Sequence, residues 1–345
     1  MSRTVRLPRG GQWLDIFSAG RGGSGHRRVF TSSEIAQISR TVRRTPEVMV
    51  KVTGGGTSSG AVAGHLGYIG RHGELEIETD EGERIQGREQ QRALAKEWHL
   101  DLTPGQYRRQ RNGQPAKRPV KLVHNIVLSM PAPTPPEKVV AAARVFAREK
   151  FALQHRYALV LHTDQKHPHV HLVVKAESMQ GPRLHIDKPM LRAWREDFAQ
   201  MMRDQGVAAN ATPNVYRGRT KGGKQDAVYR AQRRKRSTVM RARVESIAKE
   251  LHATGRVVDP SHSKLEQTRK AVVAQWKMVA DILDSQGEVV LAGDVRYFAM
   301  NLPRVQTDRE RLAAQFVDHV RSMAGSRQSE MKRPQVRVDP EHLDT

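Results

Sequence analysis

Two apolar stretches, RYALVLH (156–162) and HVHLVVKA (169–176), are separated by only the six residues TDQKHP. Both are rich in residues that favour strands, and a six-residue connection is too short for a crossover helix, so they read as an antiparallel hairpin. Side chains two apart on a strand share a face, so His169 and His171 project together while Val170, Leu172 and Val174 point the other way, into a core. The connection brings His162, at the end of the first strand, beside that pair. Pro168 sits at a strand entrance, where its missing N–H does least harm.

This hairpin carries four of the chain's fifteen histidines in ten residues, HTDQKHPHVH. Three imidazoles from adjacent strands, His162, His169 and His171, can bind one divalent ion and leave its other positions open to water or substrate. Open positions point to catalysis or ligand binding rather than a structural metal. Asp164 could orient or polarise a histidine from behind. His167 falls outside the set. Imidazole donors alone suit Mn²⁺ or Zn²⁺ better than Mg²⁺, which prefers oxygen.

Further elements surround the hairpin. EVMVKVT (47–53), ELEIET (74–79) and HNIVLSM (124–130) read as strands, the second with clear period-two alternation. Helices are expected at 61–69, 87–98, 136–153 (opened by Pro136 and Glu137) and 190–206. The expected fold is α+β: a central, mainly antiparallel sheet flanked by helices, followed by a mostly α-helical C-terminal region with helices at 238–254, 263–286 and 307–324. The expected organisation is a flexible basic arm over 1–45, a catalytic domain over 46–215, a basic linker over 216–236, a helical domain over 237–325 and a disordered tail over 326–345.

The net charge is +23, and it is uneven. Residues 237–345 hold 17 basic and 15 acidic side chains, leaving 42 basic against 21 acidic in the first 236. Such a field implies a polyanion partner for the first two-thirds of the chain. Two strips concentrate it. QYRRQRNGQPAKR (106–118) includes Arg108, Arg109 and Arg111, and 217–236 includes Arg217, Arg219, Lys221 and Lys224. Phosphate contacts from such strips supply salt-sensitive affinity without sequence readout. The chain has no cysteine, which excludes disulfides, thiolate nucleophiles and cysteine-based zinc fingers. No apolar run reaches membrane-spanning length and no apolar segment follows the N-terminal charges, so a cytoplasmic protein without membrane contact is expected.

HTDQKHPHVHLVV resembles motif III of conjugative relaxases of the MobP type, mobilisation nucleases of the His-hydrophobic-His endonuclease superfamily that include the T-DNA border endonucleases. In order before it, GHLGYIGRHGELEI (64–77) is similar to that family's tyrosine motif, and HNIVLSMPAPTPPEKVVAAARVFAREKF (124–151) to its strand–turn–helix motif. The resemblance runs from about residue 47 to about 206. It implies a palm-like fold and nicking of one DNA strand at an origin of transfer, for conjugative transfer or mobilisation of a plasmid or integrative element. A tyrosine would attack the scissile phosphodiester and retain a 5′-phosphotyrosyl bond. Tyr68 takes the nucleophile's place, Asp164 that of the family aspartate, and His162, His169 and His171 that of the ligands to a divalent ion, Mg²⁺ or Mn²⁺. His162 as ligand and His162 as base remain alternatives. Arg71 joins the DNA contacts, and His124 stands as a candidate for supporting the site from behind, beside the reading of a structural strand histidine. Implied partners are single-stranded and duplex DNA, relaxosome accessory proteins and a type IV secretion coupling protein, with translocation alongside the DNA as a corollary. Some sixty-seven residues precede Tyr68, more than the family usually has. Competing readings are a rolling-circle replication initiator with the same chemistry, a non-catalytic relaxosome scaffold and, less compatible with the charge, a small-molecule metallohydrolase. Of the other tyrosines, Tyr157 is expected in the core, and Tyr107, Tyr216 and Tyr229 could stack on bases.

Overall fold

One sheet organises the N-terminal part of the chain. Its strands are β1 (Met49–Gly54), β2 (Ile77–Thr79), β3 (Arg84–Ile85), β4 (Val123–Ser129), β5 (Tyr157–His162) and β6 (His169–Lys175). They lie in the order β1-β4-β6-β5-β2-β3, and every neighbouring pair is antiparallel. The structure is a computed structural model and describes residues 29–100, 120–219 and 237–331. The described chain divides into two compact units, 30–212 and a second that takes up the chain again at Pro213.

Each face of the sheet is covered by a pair of helices. On one, α4 (Pro136–Phe151) and α5 (Lys188–Asp204) pack against Val50, Ile126, Leu128, Leu159, Val170, Leu172 and Val174. The buried positions of α4, Val139, Ala142, Ala143, Phe146 and Ala147, follow helical spacing, and the alanines let it approach the sheet closely. Phe146 meets Phe151, Trp194 and Phe198 edge-on at centroid distances of 6.1, 5.8 and 6.1 Å. Tyr157 is buried in this layer, as its strand position implies. The opposite face is covered by α2 (Ser59–Ile69) and α3 (Arg88–Glu97), which bury Val62, Leu66, Ile69, Leu94 and Trp98 over Ala158, Val160 and Val173. The histidine positions of β6 lie on this second face, in step with Val173.

The expectation of a flexible arm reaching residue 45 is corrected. Ser32–Val42 forms helix α1, opened by a capping box in which Thr31 and Glu34 satisfy each other's backbone N–H. A buried polar knot holds its far end. Asn210 Nδ2 donates to Thr41 Oγ1 (3.1 Å), Thr212 Oγ1 (2.9 Å) and Glu47 Oε1 (3.2 Å), and Thr212 N–H donates to Glu47 Oε2 (2.7 Å). These bonds tie α1 and the approach to β1 to the segment after α5.

The second unit is helical: α6 (Thr238–Thr254), α7 (Ser261–Ser285), α8 (Val289–Met300) and α9 (Asp308–Met331). α6 matches its expected span. α8 was not anticipated, because VVLAGDVRYFAM reads as apolar without a clear helical stripe. α7 and α8 form a hairpin over Trp276, Val279, Leu283, Val295 and Phe298, with Trp276 edge-on to Phe298 at 5.3 Å. α9 continues to Met331, so the expected tail boundary at 326 falls inside a helix. No described helix is long and apolar enough to cross a membrane.

Candidate metal and nucleophile centre

The hairpin register pairs His162 with His169 and Val160 with His171, which places the three imidazoles on one face at the end of two adjacent strands. Ring centroids lie 5.2 Å (His162–His169), 4.5 Å (His162–His171) and 5.1 Å (His169–His171) apart. One ring nitrogen from each falls within 4.8 Å of the others, the one group among the described residues arranged to hold a metal ion. The residues fit such an ion by chemistry as well as by spacing.

A carbonyl oxygen can only accept, so the bonds to carbonyls identify the protonated ring nitrogens. His162 Nε2–H donates to the Ile69 carbonyl at 2.6 Å, and His169 Nδ1–H donates to the His167 carbonyl at 3.0 Å. In each ring this leaves the other nitrogen as the one that can offer a lone pair, the arrangement that orients metal-binding histidines. Burial pushes His171 down to about 3, helped by the neighbouring imidazoles and Arg71. Burial also lowers His162, against the opposing pull of the Ile69 hydrogen bond. Both rings are therefore neutral, hence able to ligate, at physiological pH. The connecting loop is anchored: Ala132 N–H donates to His167 Nδ1 (3.0 Å), and Ser129 Oγ to the Pro168 carbonyl (3.1 Å). His167 thus serves the loop rather than the triad.

Helix α2 meets the triad end-on. The last carbonyls of a helix lack intrahelical partners, and that of Ile69 is used by His162. Tyr68 is the residue before it, with its side chain 59% exposed. The chain then turns sharply: Arg71, His72 and Gly73 all have positive φ (51°, 56° and 105°). A Cβ on Gly73 would sit 2.9 Å from the Arg88 backbone nitrogen, so this position needs glycine on two counts. Arg88 Nε donates to the His72 carbonyl at 2.9 Å and fastens the turn to α3. Two non-glycine residues in this region carry strain of the sort found where backbone is held for function.

The turn delivers Arg71 to Asp164, and the two side chains form an ion pair. Asp164 Oδ1 lies 3.8 Å from His162 Nδ1, beyond hydrogen-bond reach, so its first partner is Arg71 rather than a histidine. Partial desolvation opposes ionisation of Asp164, but the Arg71 hydrogen bond and charge outweigh it and hold the carboxyl below its usual range.

His124 is excluded from the site. It pairs with Val174, so it points to the opposite face, where Nε2–H donates to the Leu184 carbonyl at 3.2 Å. Arg217 and Arg219 belong to the second unit, where Arg217 Nη2 donates to Asn214 Oδ1 (2.7 Å). Arg108, Arg109, Arg111, Lys221 and Lys224 lie outside the described residues, as do Tyr107 and Tyr229. The Tyr216 carbonyl accepts a hydrogen bond from Trp276 Nε1 at 2.9 Å, which builds Tyr216 into the helical unit's frame.

Two residues not singled out from sequence join the triad's face. His65, one turn before Tyr68, stacks with it at 6.3 Å and 26°, and its charge bears on His171. Its Nε2 is buried and without a hydrogen-bond partner among the described residues. Lys51, exposed on the edge strand, pairs with Val127, which pairs with His171, so it shares the row of that histidine. The i, i+3 spacing to Tyr68 was a visible signal for His65; Lys51 needed the register.

Residues 76–207 match the family described as relaxase, MobA/VirD2-like, nuclease domain. The chain is also similar to the T-DNA border endonuclease VirD2 of Agrobacterium fabrum, 27% identical over 214 residues covering 56% of this chain and 46% of that protein. The protein of the same name from Rhizobium rhizogenes is 26% identical over 191 residues, covering 50% and 42%. The chain spans somewhat under half the length of these relatives. Residues 76–207 thus combine similarity to the MobA/VirD2-like relaxase nuclease domain with an antiparallel sheet that gathers three histidines at the end of its central hairpin.

Proposed function

We propose that the protein nicks one strand of DNA at an origin of transfer, with Tyr68 as nucleophile. The observation that carries this reading is the bond between His162 and the carbonyl of Ile69, which couples the helix end bearing Tyr68 to the imidazole triad. The phenol oxygen attacks the scissile phosphorus, a Tyr68 O–P bond forms, the bond to the 3′-oxygen breaks, and the strand leaves with a free 3′-hydroxyl. The phenol gives its proton to solvent or a neighbouring imidazole as it attacks, and the leaving oxygen takes one up. His162, His169 and His171 would hold a divalent ion, Mn²⁺ or Mg²⁺ with Zn²⁺ also compatible with the donors, and such an ion would supply positive charge to offset that on the phosphoryl oxygens. Lys51 and the turn at Arg71 supply positive charge along the strand's path, Asp164 holds Arg71 in place, and His65 flanks the Tyr68 ring. The covalent bond conserves the phosphoester for later resealing, which suits transfer and rejoining rather than degradation. Relaxosome accessory proteins and a type IV coupling protein complete this reading as partners, with the cytoplasm as its setting.

The test is incubation with single-stranded oligonucleotides tiled across the transfer region of the protein's own mobile element, with Mg²⁺ or Mn²⁺. A covalent protein–DNA band is expected from the wild type and none from Tyr68→Phe. A band retained by Tyr68→Phe would remove Tyr68 as the nucleophile.

A further inference from the structure

The C-terminal helical unit contains an arginine-lined cavity that the nicking reaction does not explain. Asn214, Gly218, Arg219, Pro303, Arg304, Gln306 and Arg311 enclose about 520 Å³ open to solvent. The region after 237 is nearly balanced in charge, yet it contributes Arg304 and Arg311 to one cavity, where they join Arg219 from the basic strip before it.

The frame of the cavity is rigid. Gly218 has φ 65°, and a Cβ there would lie 3.0 Å from Pro303 Cδ, so the two walls are in close contact. Arg269 donates from Nε to the Pro303 carbonyl (3.1 Å) and from Nη2 to the Leu302 carbonyl (3.0 Å). Trp276 Nε1 donates to the Tyr216 carbonyl (2.9 Å), and Arg219 N–H to the Asn214 carbonyl (3.0 Å). Thus α7 pins both walls.

The arginines differ in their partners. Arg311 Nη1 is paired with Asp308 at 2.9 Å. The side chains of Arg219 and Arg304 are exposed and make no hydrogen bond or ion pair among the described residues. Among the described residues only Arg311 of the three has a carboxylate partner, so the cavity presents more positive than negative charge to an anion, and guanidinium forks match phosphate oxygens. Arg219 also opens the run RTKGGKQDAVYRAQRRKR, eight basic residues against one acid, so a ligand seated here is continuous in sequence with a polycationic segment. So long a basic run in the sequence suits an extended polyanion better than a single small phosphate.

We propose that this cavity is a phosphate-backbone site for single-stranded DNA, carried by the C-terminal unit itself and centred on Arg219, Arg304 and Arg311. It rests on the nicking reading only for the kind of nucleic acid, and its contacts are to phosphate, hence independent of sequence.

The experiment measures binding of the full chain to a fluorescent random-sequence single-stranded 30-mer by anisotropy, in EDTA, from 50 to 300 mM NaCl. Arg304→Ala is expected to weaken binding roughly two- to fivefold at 0.1 M salt. It should also flatten the slope of log K against log salt by about 0.7, the signature of one lost phosphate contact on a single strand. Arg304→Glu should flatten it further and Arg304→Lys should restore it. Arg304 is exposed in a loop, and unchanged circular dichroism melting would show that the variants fold. An unchanged slope in both Arg304→Ala and Arg304→Glu would overturn the proposal. So would binding of inorganic pyrophosphate that is lost in Arg304→Ala while the oligonucleotide slope stays the same, since the site would then serve a small anion. Because no metal or cleavage is needed, failure of the nicking reading appears separately, as absence of the covalent adduct with the salt slope still altered by Arg304→Ala.

Discussion

His124 allows a quantitative test of which face of the sheet does the chemistry. Its ring lies on the α4–α5 face, with Nε2–H committed to the Leu184 carbonyl and Nδ1 buried without a partner among the described residues. Burial, reinforced by the charges of Lys121, Arg183 and His155, lowers it from the ordinary imidazole value of 6.5 to about 4, despite the Leu184 bond. The folded value is depressed for a base, so below 6.5 the unfolded chain binds the extra proton and the folded one does not. The stability that His124 contributes as a neutral ring is therefore intact above the unfolded value and is lost as pH falls toward the folded one. Between pH 7 and pH 5 the loss is about 2 kcal/mol, from the ratio of the two proton-binding polynomials. The perturbation is acidification, read by urea denaturation of wild type and His124→Leu at pH 7 and pH 5. The leucine variant should lose stability by about 2 kcal/mol less than wild type over that interval, whatever its stability at pH 7. It should also nick DNA at the wild-type rate per folded molecule. Equal pH dependence in the two proteins would refute the argument that the ring is held neutral by burial. A specific collapse of nicking would return His124 to the site.

Three other outcomes are expected. His169→Ala should abolish metal-dependent cleavage and lower Mn²⁺ affinity in calorimetric titration, while salt-sensitive DNA binding persists; equal loss of both would contradict a role confined to the metal. Asn210→Ala leaves Thr41, Glu47 and Thr212 without their shared donor and should cost about 1–3 kcal/mol in urea denaturation, with α1 the first element to lose amide-exchange protection. Arg71→Ala breaks a half-exposed ion pair, so its stability cost should stay within about 1 kcal/mol, yet covalent adduct formation should slow by more than that energy explains, because the turn after Tyr68 loses its tie to Asp164.

The parts of this molecule legible in its sequence are those set by local periodicity. The hairpin at 156–176, the common face of His169 and His171, and the placement of His162 beside them follow from a two-residue repeat and a short connection. Helix α6 was legible from its apolar spacing and bounding polar residues. Helix α1 carried a signal that composition obscured: Thr31 and Glu34 form the capping pattern inside a stretch that reads as a Gly, Ser and Arg-rich arm. Helix α8 lacked a stripe because several of its apolar residues remain exposed, Val289, Val290, Tyr297 and Met300 among them.

The remaining decisions belong to register and to contacts far apart in sequence. His124 sits on a strand as plainly as His171 does, but only the pairing of β4 with β6 puts the two on opposite faces. Lys51 joins the triad's row through two successive strand pairings. Asp164 stands two residues from His162, yet its partner is Arg71, ninety-three residues away and presented by a left-handed turn. The sequence by itself determined that three imidazoles converge, because strand alternation is a property of neighbouring residues. The tertiary structure alone decided which helix end meets them, which cation meets the aspartate and which histidine is left out, because side-chain contacts depend on how distant segments pack.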